Sequence, residues 1–338
     1  MTKKTYQPYA PKQSLLLRPS PQDWLPEGHL AYFVMDVVKE LDLGPIHRHY
    51  ARELRGYPPY HPEMMLALLV YGYCTGVASS RKIERKTHED IAFRVIAAGA
   101  HPDHSAVSEF RRVHLGALAG LFVEVLKLCQ KAGLVKLGHV ALDGTKMKAN
   151  ASKHKAMSYD RMQAKEKELA ERVKGLLEAA GNEDEYEDKK YGKTSQPPDA
   201  QHLVPMLEQV IENCGAPPEA LTADAGYFSE ENVHPATELG TDPHIAPGRV
   251  KRDEPRPKVC GRPPANLTPK QRMARKLATL SGALIYAKRK WVVEPVFGQI
   301  KQARGLRQLL LRGLWKTRAE WALICTTHNL LRLHAART

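Results

Sequence analysis

Apolar residues in the N-terminal part of the chain recur mainly at helical spacing. Residues 1–60 are rich in proline, which predicts an extended arm, and they carry one helical pattern over about 30–41. From Pro62 the pattern predicts a helix, and SSRKIERKTHEDIAFRVIA and SAVSEFRRVHLGALAGLFVEVLKLCQKAG predict two more, the second capped by Ser105. Residues 61–134 are therefore predicted to form a helical domain.

The pattern changes at residues 135–158, where a short apolar run leads directly into a carboxylate. In GHVALDGTKMKANAS the apolar residues before Asp143 have no helical period and fit a buried strand, which Gly144 ends. The simplest interpretation of Asp-Gly is a turn. However, ALTADAGYFSEENV repeats the design, with Asp224 before Gly226. Parallel neighbouring strands would bring both carboxylates to one edge of a sheet.

Between these aspartates the pattern gives no convincing second strand. Residues 159–200 contain a highly charged helical pattern, an acidic cluster and a loop, which together are typical of a solvated helix and linker. Residues 201–338 carry a helix, the Asp224 strand, a basic proline-rich linker and long helices. The predicted fold class is α/β, mostly helical overall.

Composition excludes several function classes. No apolar run is long enough for a membrane span, and no apolar stretch follows the N-terminal lysines, so the expected location is the cytoplasm. The five cysteines are odd in number and never form a CxxC pair, which argues against a disulfide framework and a zinc site. The chain has neither a P-loop nor a dinucleotide-binding fingerprint.

Positive charge is concentrated in one part of the chain. Residues 249–312 contain 17 Lys and Arg residues against three acids, a difference of 14 that equals the net charge of +14 of the whole chain. A solvated basic face is one interpretation, but such a face more often contains interspersed acids. A surface that binds a polyanion is the other, and it makes DNA the expected partner, with Arg304 and Arg307 as candidate phosphate contacts.

One acid, Glu294, lies within the later part of this basic zone, in YAKRKWVVEPVFGQIKQARGLRQ. A local ion pair is the simplest interpretation. Lys301 nevertheless follows seven residues later, on the same helical face. Together with Asp143 and Asp224, Glu294 could hold two Mg²⁺ or Mn²⁺ ions about 3.5–4 Å apart, which activate a water or a 3′-hydroxyl and stabilise the leaving oxygen of a phosphodiester.

These motifs resemble the DDE transposases of bacterial insertion sequences, in the superfamily named for a tyrosine, arginine, glutamate and lysine signature. Asp143 in ALDGTKMKA, Asp224 in ADAGY and Glu294 in VEPVFGQIK are similar to the three catalytic acids of that family. YHPEMMLALLVYGYCTGVASSRKIER resembles its N-terminal domain and RAEWALICTTHNLLRL its C-terminal helix. The resemblance implies an N-terminal helical DNA-binding domain and an RNase H-like core, with the two aspartates at strand ends and Glu294 on a following helix as metal ligands.

The same resemblance implies a function. Members of the family cleave and transfer DNA strands at terminal inverted repeats in the presence of Mg²⁺, and usually act as dimers or larger assemblies. Two alternatives stay open, namely a nuclease on the same core and a DNA-binding protein without catalysis.

The signature itself is modified in this chain. The six residues between Glu294 and Lys301 match the superfamily spacing, but Arg289 precedes Glu294 by four intervening residues instead of three. Lys290 occupies the expected place and, at about 100° of rotation per residue, faces the Glu294 side better. Either residue could therefore fill the arginine role as a DNA contact, and Tyr286 is a further candidate.

The interval between the two aspartates is shorter than in the resembled family, in which two antiparallel strands follow the first one. An internal deletion near residues 191–198 is the simplest account. Loss of these strands would leave the Asp143 strand with an unpaired edge and hold the carboxylates loosely. Because a displacement of about 1 Å can cost on the order of 100-fold in rate, we expect this copy to be catalytically impaired.

Overall fold

The computed structural model describes residues 21–51, 58–148, 199–248 and 266–337, together with residues 259, 261 and 264. The chain divides into two compact units: unit 1 comprises Met1–Ala117 with His334–Thr338, and unit 2 comprises Leu118–Leu333. The described residues are mostly helical, with one small parallel sheet in unit 2. The α/β, mostly helical class is thus confirmed, whereas the predicted RNase H-like core and the domain bounds stay predictions.

The described part of unit 1 is helical and has one apolar helix at its centre. Its helices are α1 (Leu30–Glu40), α2 (Gly44–Tyr50), α3 (Pro62–Cys74), α4 (Ser80–Glu89), α5 (Ile91–Ile96) and α6 (His104–Val113). Every residue of α3 from Met65 onwards is buried, as expected for a helix that is apolar on all sides. Because α1 and α5 both pack against α3, this helix forms the core of unit 1.

Unit 2 contains the sheet and the C-terminal helices. Its elements are α7 (Leu115–Lys131), which begins in unit 1, β1 (His139–Leu142), α8 (Leu203–Cys214), β2 (Ala220–Ala223), α9 (Glu230–Glu238), β3 (Asp242–Ile245), α10 (Pro269–Ala278), α11 (Leu280–Gly298) and α12 (Leu314–Ala335), which ends in unit 1. A π-helical turn, Gln299–Ala303, continues α11.

The sheet of unit 2 has the strand order β1-β2-β3, and all its strands are parallel. Leu142 lies opposite Ala223, and Ala223 lies opposite Ile245, so the three strands end in register. The core on which they pack includes Leu203 and Leu207 of α8, and α11 contacts all three strands. The residues that follow β1 and β2 therefore lie side by side at one edge of the sheet.

Two segments whose patterns predict single helices are each broken in two. The first break is at Asp90, whose carboxylate accepts a 3.0 Å hydrogen bond from the backbone N–H of Ala92 and so caps α5. The second break separates α6 from α7 at His114. The predicted cap Ser105 is wrong, because Asp103 caps α6 and Ser105 lies inside it. No single described helix has the length and apolar composition of a membrane span, although α6 and α7 pass that test as a pair.

The predicted internal deletion near residues 191–198 lies outside the described residues, as do residues 149–198 as a whole. It therefore stays a prediction. Within the described part of the chain, the ladder of β1 is formed with β2, and the segment after β1 makes one isolated parallel bridge, from Lys148 to Gln308.

The histidine His328 of α12 makes the stability of unit 2 dependent on pH. Its side chain is 9% exposed, and Nδ1 has no hydrogen-bond partner among the described residues. Burial, followed by the charges of Arg304 and Arg332, lowers the pKa of His328 from 6.5 to about 4. At a pH between these two pKa values, His328 is protonated in the unfolded chain but neutral in the folded chain. The free energy of unfolding is therefore highest above about pH 6.5 and falls as the pH is lowered towards 4.

Replacing His328 by Gln tests this linkage. Between pH 7.5 and pH 5, the natural chain is expected to lose about 2 kcal/mol more stability than His328→Gln, since Gln does not titrate. Urea unfolding at both pH values measures the difference, and the other histidines cancel because both proteins contain them. Parallel losses in the two proteins would show that His328 is not excluded from protonation.

Candidate active site

Two aspartates lie next to each other at the carboxyl edge of the sheet. Asp143 directly follows Leu142, the last residue of β1, and Asp224 directly follows Ala223, the last residue of β2. These two strand ends are paired in register, so the sequence-based expectation of neighbouring parallel strands is confirmed. The placement brings two acids to the position where open α/β sheets commonly bind ligands.

A buried tyrosine, Tyr227, is affected by three carboxylates near the sheet edge. Burial is the largest cause that raises the pKa of its hydroxyl above the usual value, and the carboxylates of Asp199, Asp224 and Asp143 raise it further. Asp199 is an acid that the sequence analysis missed, because no strand pattern leads into it. A Cβ at Gly226 would lie 2.9 Å from Asp199 Oδ2 and 3.2 Å from Asp224 Oδ1, so a larger residue at this turn would shift these carboxylates.

Arg289 of α11 makes an ion pair with the first aspartate. Its Nη1 donates a 3.1 Å hydrogen bond to Asp143 Oδ2, and the two side chains are 18% and 25% exposed. Arg289 shares its helical face with Val293, which is buried four residues later, whereas Lys290 is exposed. Of the two candidates that the spacing left open, the structure therefore brings Arg289 to Asp143, with its guanidinium 5.9 Å from the ring of Tyr286.

Lys301 contacts the segment that follows Asp143. Its Nζ donates to Lys146 O at 2.9 Å and to the hydroxyl of Thr145. A backbone hydrogen bond holds the end of the same segment, because Lys148 N donates to Arg307 O at 3.1 Å. The ammonium group thus contacts the two residues that follow Gly144, and the π-helical turn that contains Lys301 places it there.

Glu294 is exposed on α11 and does not join the aspartates in this structure. It follows Arg289 by five residues, which at about 100° per residue places it about 140° around the helix from the side chain that reaches Asp143. In the part of the chain that the structure describes, no group of three or more His, Cys, Asp or Glu side chains is arranged to hold a metal ion. The aspartate pair has the oxygen donors that Mg²⁺ prefers, but the third expected ligand is not gathered with it.

The two arginines predicted to contact phosphates have different surroundings. Arg304 is only 7% exposed, and its guanidinium donates to Thr327 Oγ1 at 2.8 Å, so it stabilises the packing of α12 and does not present its charge to DNA. Arg307 is exposed and donates through Nε to Lys301 O at 3.1 Å, which leaves its charge at the surface next to Lys301.

Two family models match the chain. Residues 19–113 match a family described as Transposase domain (DUF772), and residues 259–334 match one described as Transposase DDE domain. The first match covers most of unit 1, and the second contains Glu294 and Lys301. No curated protein and no solved structure matches the chain. With both transposase domains in one chain, the protein belongs to the DDE transposases of insertion sequences.

Proposed function

We propose that this transposase cleaves DNA strands at the terminal inverted repeats of an insertion sequence and transfers them to target DNA, in a reaction that depends on Mg²⁺ or Mn²⁺. The observation that carries the proposal is the position of Asp143 and Asp224 directly after two adjacent parallel strands. An RNase H-like core accommodates such a pair, with a later helix that supplies the third acid. The helix α11 has the contacts with the sheet that this role requires.

DDE transposases typically use a divalent metal ion, and the proposed ligands here are Asp143, Asp224 and Glu294. Ions held by these residues would supply an activated hydroxyl and would stabilise the leaving oxygen at the phosphodiester. For the chain's own residues this requires two changes from the structure described. Arg289 has to release Asp143, and α11 has to turn Glu294 towards the sheet edge. Lys301 can then orient a phosphate beside the segment that it already contacts.

The proposed DNA surface of unit 2 consists of basic and aromatic side chains around this edge. Lys290 and Arg307 are exposed. Arg289 pairs with Asp143 and lies near the ring of Tyr286, and Lys301 contacts the segment that follows Asp143. The phosphates of the terminal repeats and of the target would bind there through charge. We further infer that the protein acts in the cytoplasm on the bacterial nucleoid, as a homo-oligomer that pairs two DNA ends.

We also infer that this copy reacts slowly. Glu294 is exposed on its helix, and Asp143 is neutralised by Arg289, so the ligand set is incomplete before DNA binds. The internal deletion expected from the sequence would weaken the support of β1 further. The ion pair competes with a metal ion for Asp143, and the other two defects separate the carboxylates, to which two-metal catalysis is sensitive at about 1 Å.

Incubation of the full chain with the end DNA of its own element and Mg²⁺ or Mn²⁺ tests these proposals. Nicking at the repeat, followed by joining to a second DNA, is the expected result. Nicking without joining would indicate a nuclease on the same core, and binding without nicking would indicate a DNA-binding remnant. Cleavage that is complete after a brief incubation would contradict the inferred impairment.

A further inference from the structure

Helix α4 of unit 1 has a basic face that the catalytic proposal does not use. Arg81, Lys82 and Arg85 are exposed, whereas Ile83 and Thr87 are fully buried. At about 100° per residue the three cations cover about 100° of the helix surface, opposite the two buried side chains. We call Arg81, Lys82 and Arg85 the α4 basic face.

The described structure shows no acid paired with the α4 basic face. Glu89, at the C-terminal end of α4, is exposed on the same side of the helix but forms no ion pair with the three cations, and the two other nearby acids are engaged elsewhere. Glu84 Oε2 accepts a 3.2 Å hydrogen bond from the backbone N–H of His104 and lies 2.9 Å from Nδ1 of the same residue. Asp90 pairs with Lys86 at 3.4 Å. None of the ion pairs among the described residues includes a member of the α4 basic face.

A tight turn fixes α4 against the buried helix α3. A Cβ at Gly72 of α3 would lie 2.7 Å from Val77 O and 3.2 Å from Ile83 Cδ1, so only glycine permits this approach of the turn and of α4. Gly76, within the turn, has a φ of +78°, which favours glycine. A buried helix, a short turn with glycine and an exposed helix are the successive parts of a helix-turn-helix.

A buried arginine, Arg111 of α6, stabilises the same turn through hydrogen bonds. Its guanidinium donates to Ala78 O at 2.9 Å, to Ser80 Oγ at 3.2 Å and to Tyr73 OH at 3.3 Å, and the residue is 6% exposed. One side chain thus connects the end of α3, the turn and the first residue of α4. The basic face is therefore carried on a rigid support, as a helix that reads a fixed ligand requires.

We propose that α4 is a DNA-reading helix of unit 1, which enters the major groove of duplex DNA with Arg81, Lys82 and Arg85. A major groove about 12 Å wide admits one α-helix, and arginine and lysine side chains contact phosphates or the O6 and N7 acceptors of guanine. All three cations lie in the first two turns of α4, the end from which a recognition helix contacts base edges. The inference rests on DNA as the partner in the proposed function, and it assigns the DNA contact expected of the N-terminal helical domain to one helix and three side chains.

The test is the DNA affinity of the full chain in EDTA, measured by fluorescence anisotropy with a labelled duplex of the element's end and a scrambled duplex of the same composition. The triple variant Arg81→Gln, Lys82→Gln and Arg85→Gln is expected to lose about 10-fold to 100-fold in affinity for the end duplex. The slope of log affinity against log salt should flatten by about 0.9 for each phosphate that the variant no longer neutralises.

A matched control changes three other exposed cations of unit 1, as Lys39→Gln, Arg48→Gln and Arg94→Gln, and so removes the same net charge. This control is expected to bind the end duplex within about threefold of the natural chain, since weak long-range charge effects are screened at moderate salt. Equal losses in the two triple variants would show a nonspecific charge effect and overturn the proposal, as would an unchanged affinity of the α4 variant.

A second variant, Arg81→Lys with Arg85→Lys, guards against misfolding and separates base contacts from phosphate contacts. It keeps the charge and the salt slope, but lysine lacks the two-pronged geometry with which arginine reads guanine. The ratio of affinities for the end duplex and the scrambled duplex should therefore fall, and an unchanged ratio would contradict base reading by α4. Because EDTA prevents cleavage, these binding results are independent of whether the nicking test of the proposed function succeeds.

Discussion

Replacing Asp143 by Asn is expected to reduce end cleavage by on the order of 100-fold or more, while DNA affinity stays within about twofold. Asn keeps the size of the side chain but removes the negative charge that a divalent ion requires, and misplaced or missing ligands have effects of this order in preorganised sites. DNA binding should persist because the phosphate contacts are proposed to come from Lys290, Lys301 and Arg307. Gel-based nicking assays and anisotropy titrations on the same preparations measure the two quantities.

The control for this result is Asp36→Asn, which removes an exposed carboxylate of α1 that pairs with Lys39 in unit 1. It should cleave at the rate of the natural chain. Unchanged nicking by Asp143→Asn would exclude Asp143 as a ligand, and loss of DNA binding by that variant would show that Asp143 supports the fold instead. If the natural chain itself cleaves too slowly for the comparison, Mn²⁺ in place of Mg²⁺ is the condition to use, because Mn²⁺ is bound by the same oxygen ligands.

The position of the aspartate pair could be predicted from the sequence because it depends on local signals. The same pattern occurs twice, namely an apolar run without helical period, then an acid and then a glycine. A strand that ends at a turn accounts for all three features of this pattern. The helix α3 could be predicted for a similar reason, since Pro62 begins it and its apolar positions continue without interruption. In both cases the residues that decide the structure are neighbours in the chain.

The orientation of single side chains could not be predicted in this way. A count of charges treats Arg304 and Arg307 alike, but contact with Thr327 of a distant helix buries the first and leaves the second exposed. Asp199 lies next to Gly226 only after the chain has folded. The helical rotation used to favour Lys290 considers α11 alone, whereas the packing of that helix on the sheet brings Arg289 to Asp143. These outcomes depend on contacts between remote segments.

The ion pair between Arg289 and Asp143 is expected to weaken metal binding in the absence of DNA, so removing its cation should strengthen it. Two unit charges about 4 Å apart interact by about 1 kcal/mol in water and by about 4 kcal/mol near a protein surface. A metal ion that approaches Asp143 has to overcome part of this interaction. Because about 1.4 kcal/mol corresponds to a factor of ten in affinity, we expect Arg289→Gln to bind Mn²⁺ about tenfold more tightly than the natural chain.

The adjacent residue provides a matched control for the Arg289 variant. Lys290→Gln removes the same charge one position further along α11, from an exposed side chain that does not pair with Asp143 in the described structure, and should change Mn²⁺ affinity by less than about twofold. Electron paramagnetic resonance of free Mn²⁺ in DNA-free solution gives the affinities without reference to cleavage. Equal effects of the two variants would mean that only overall charge matters. If Asp143→Asn binds Mn²⁺ with the affinity of the natural chain, the aspartate pair is not the metal site. If Asp143→Asn binds Mn²⁺ more weakly while the affinity of Arg289→Gln is unchanged, the site stands and the competition by Arg289 is refuted.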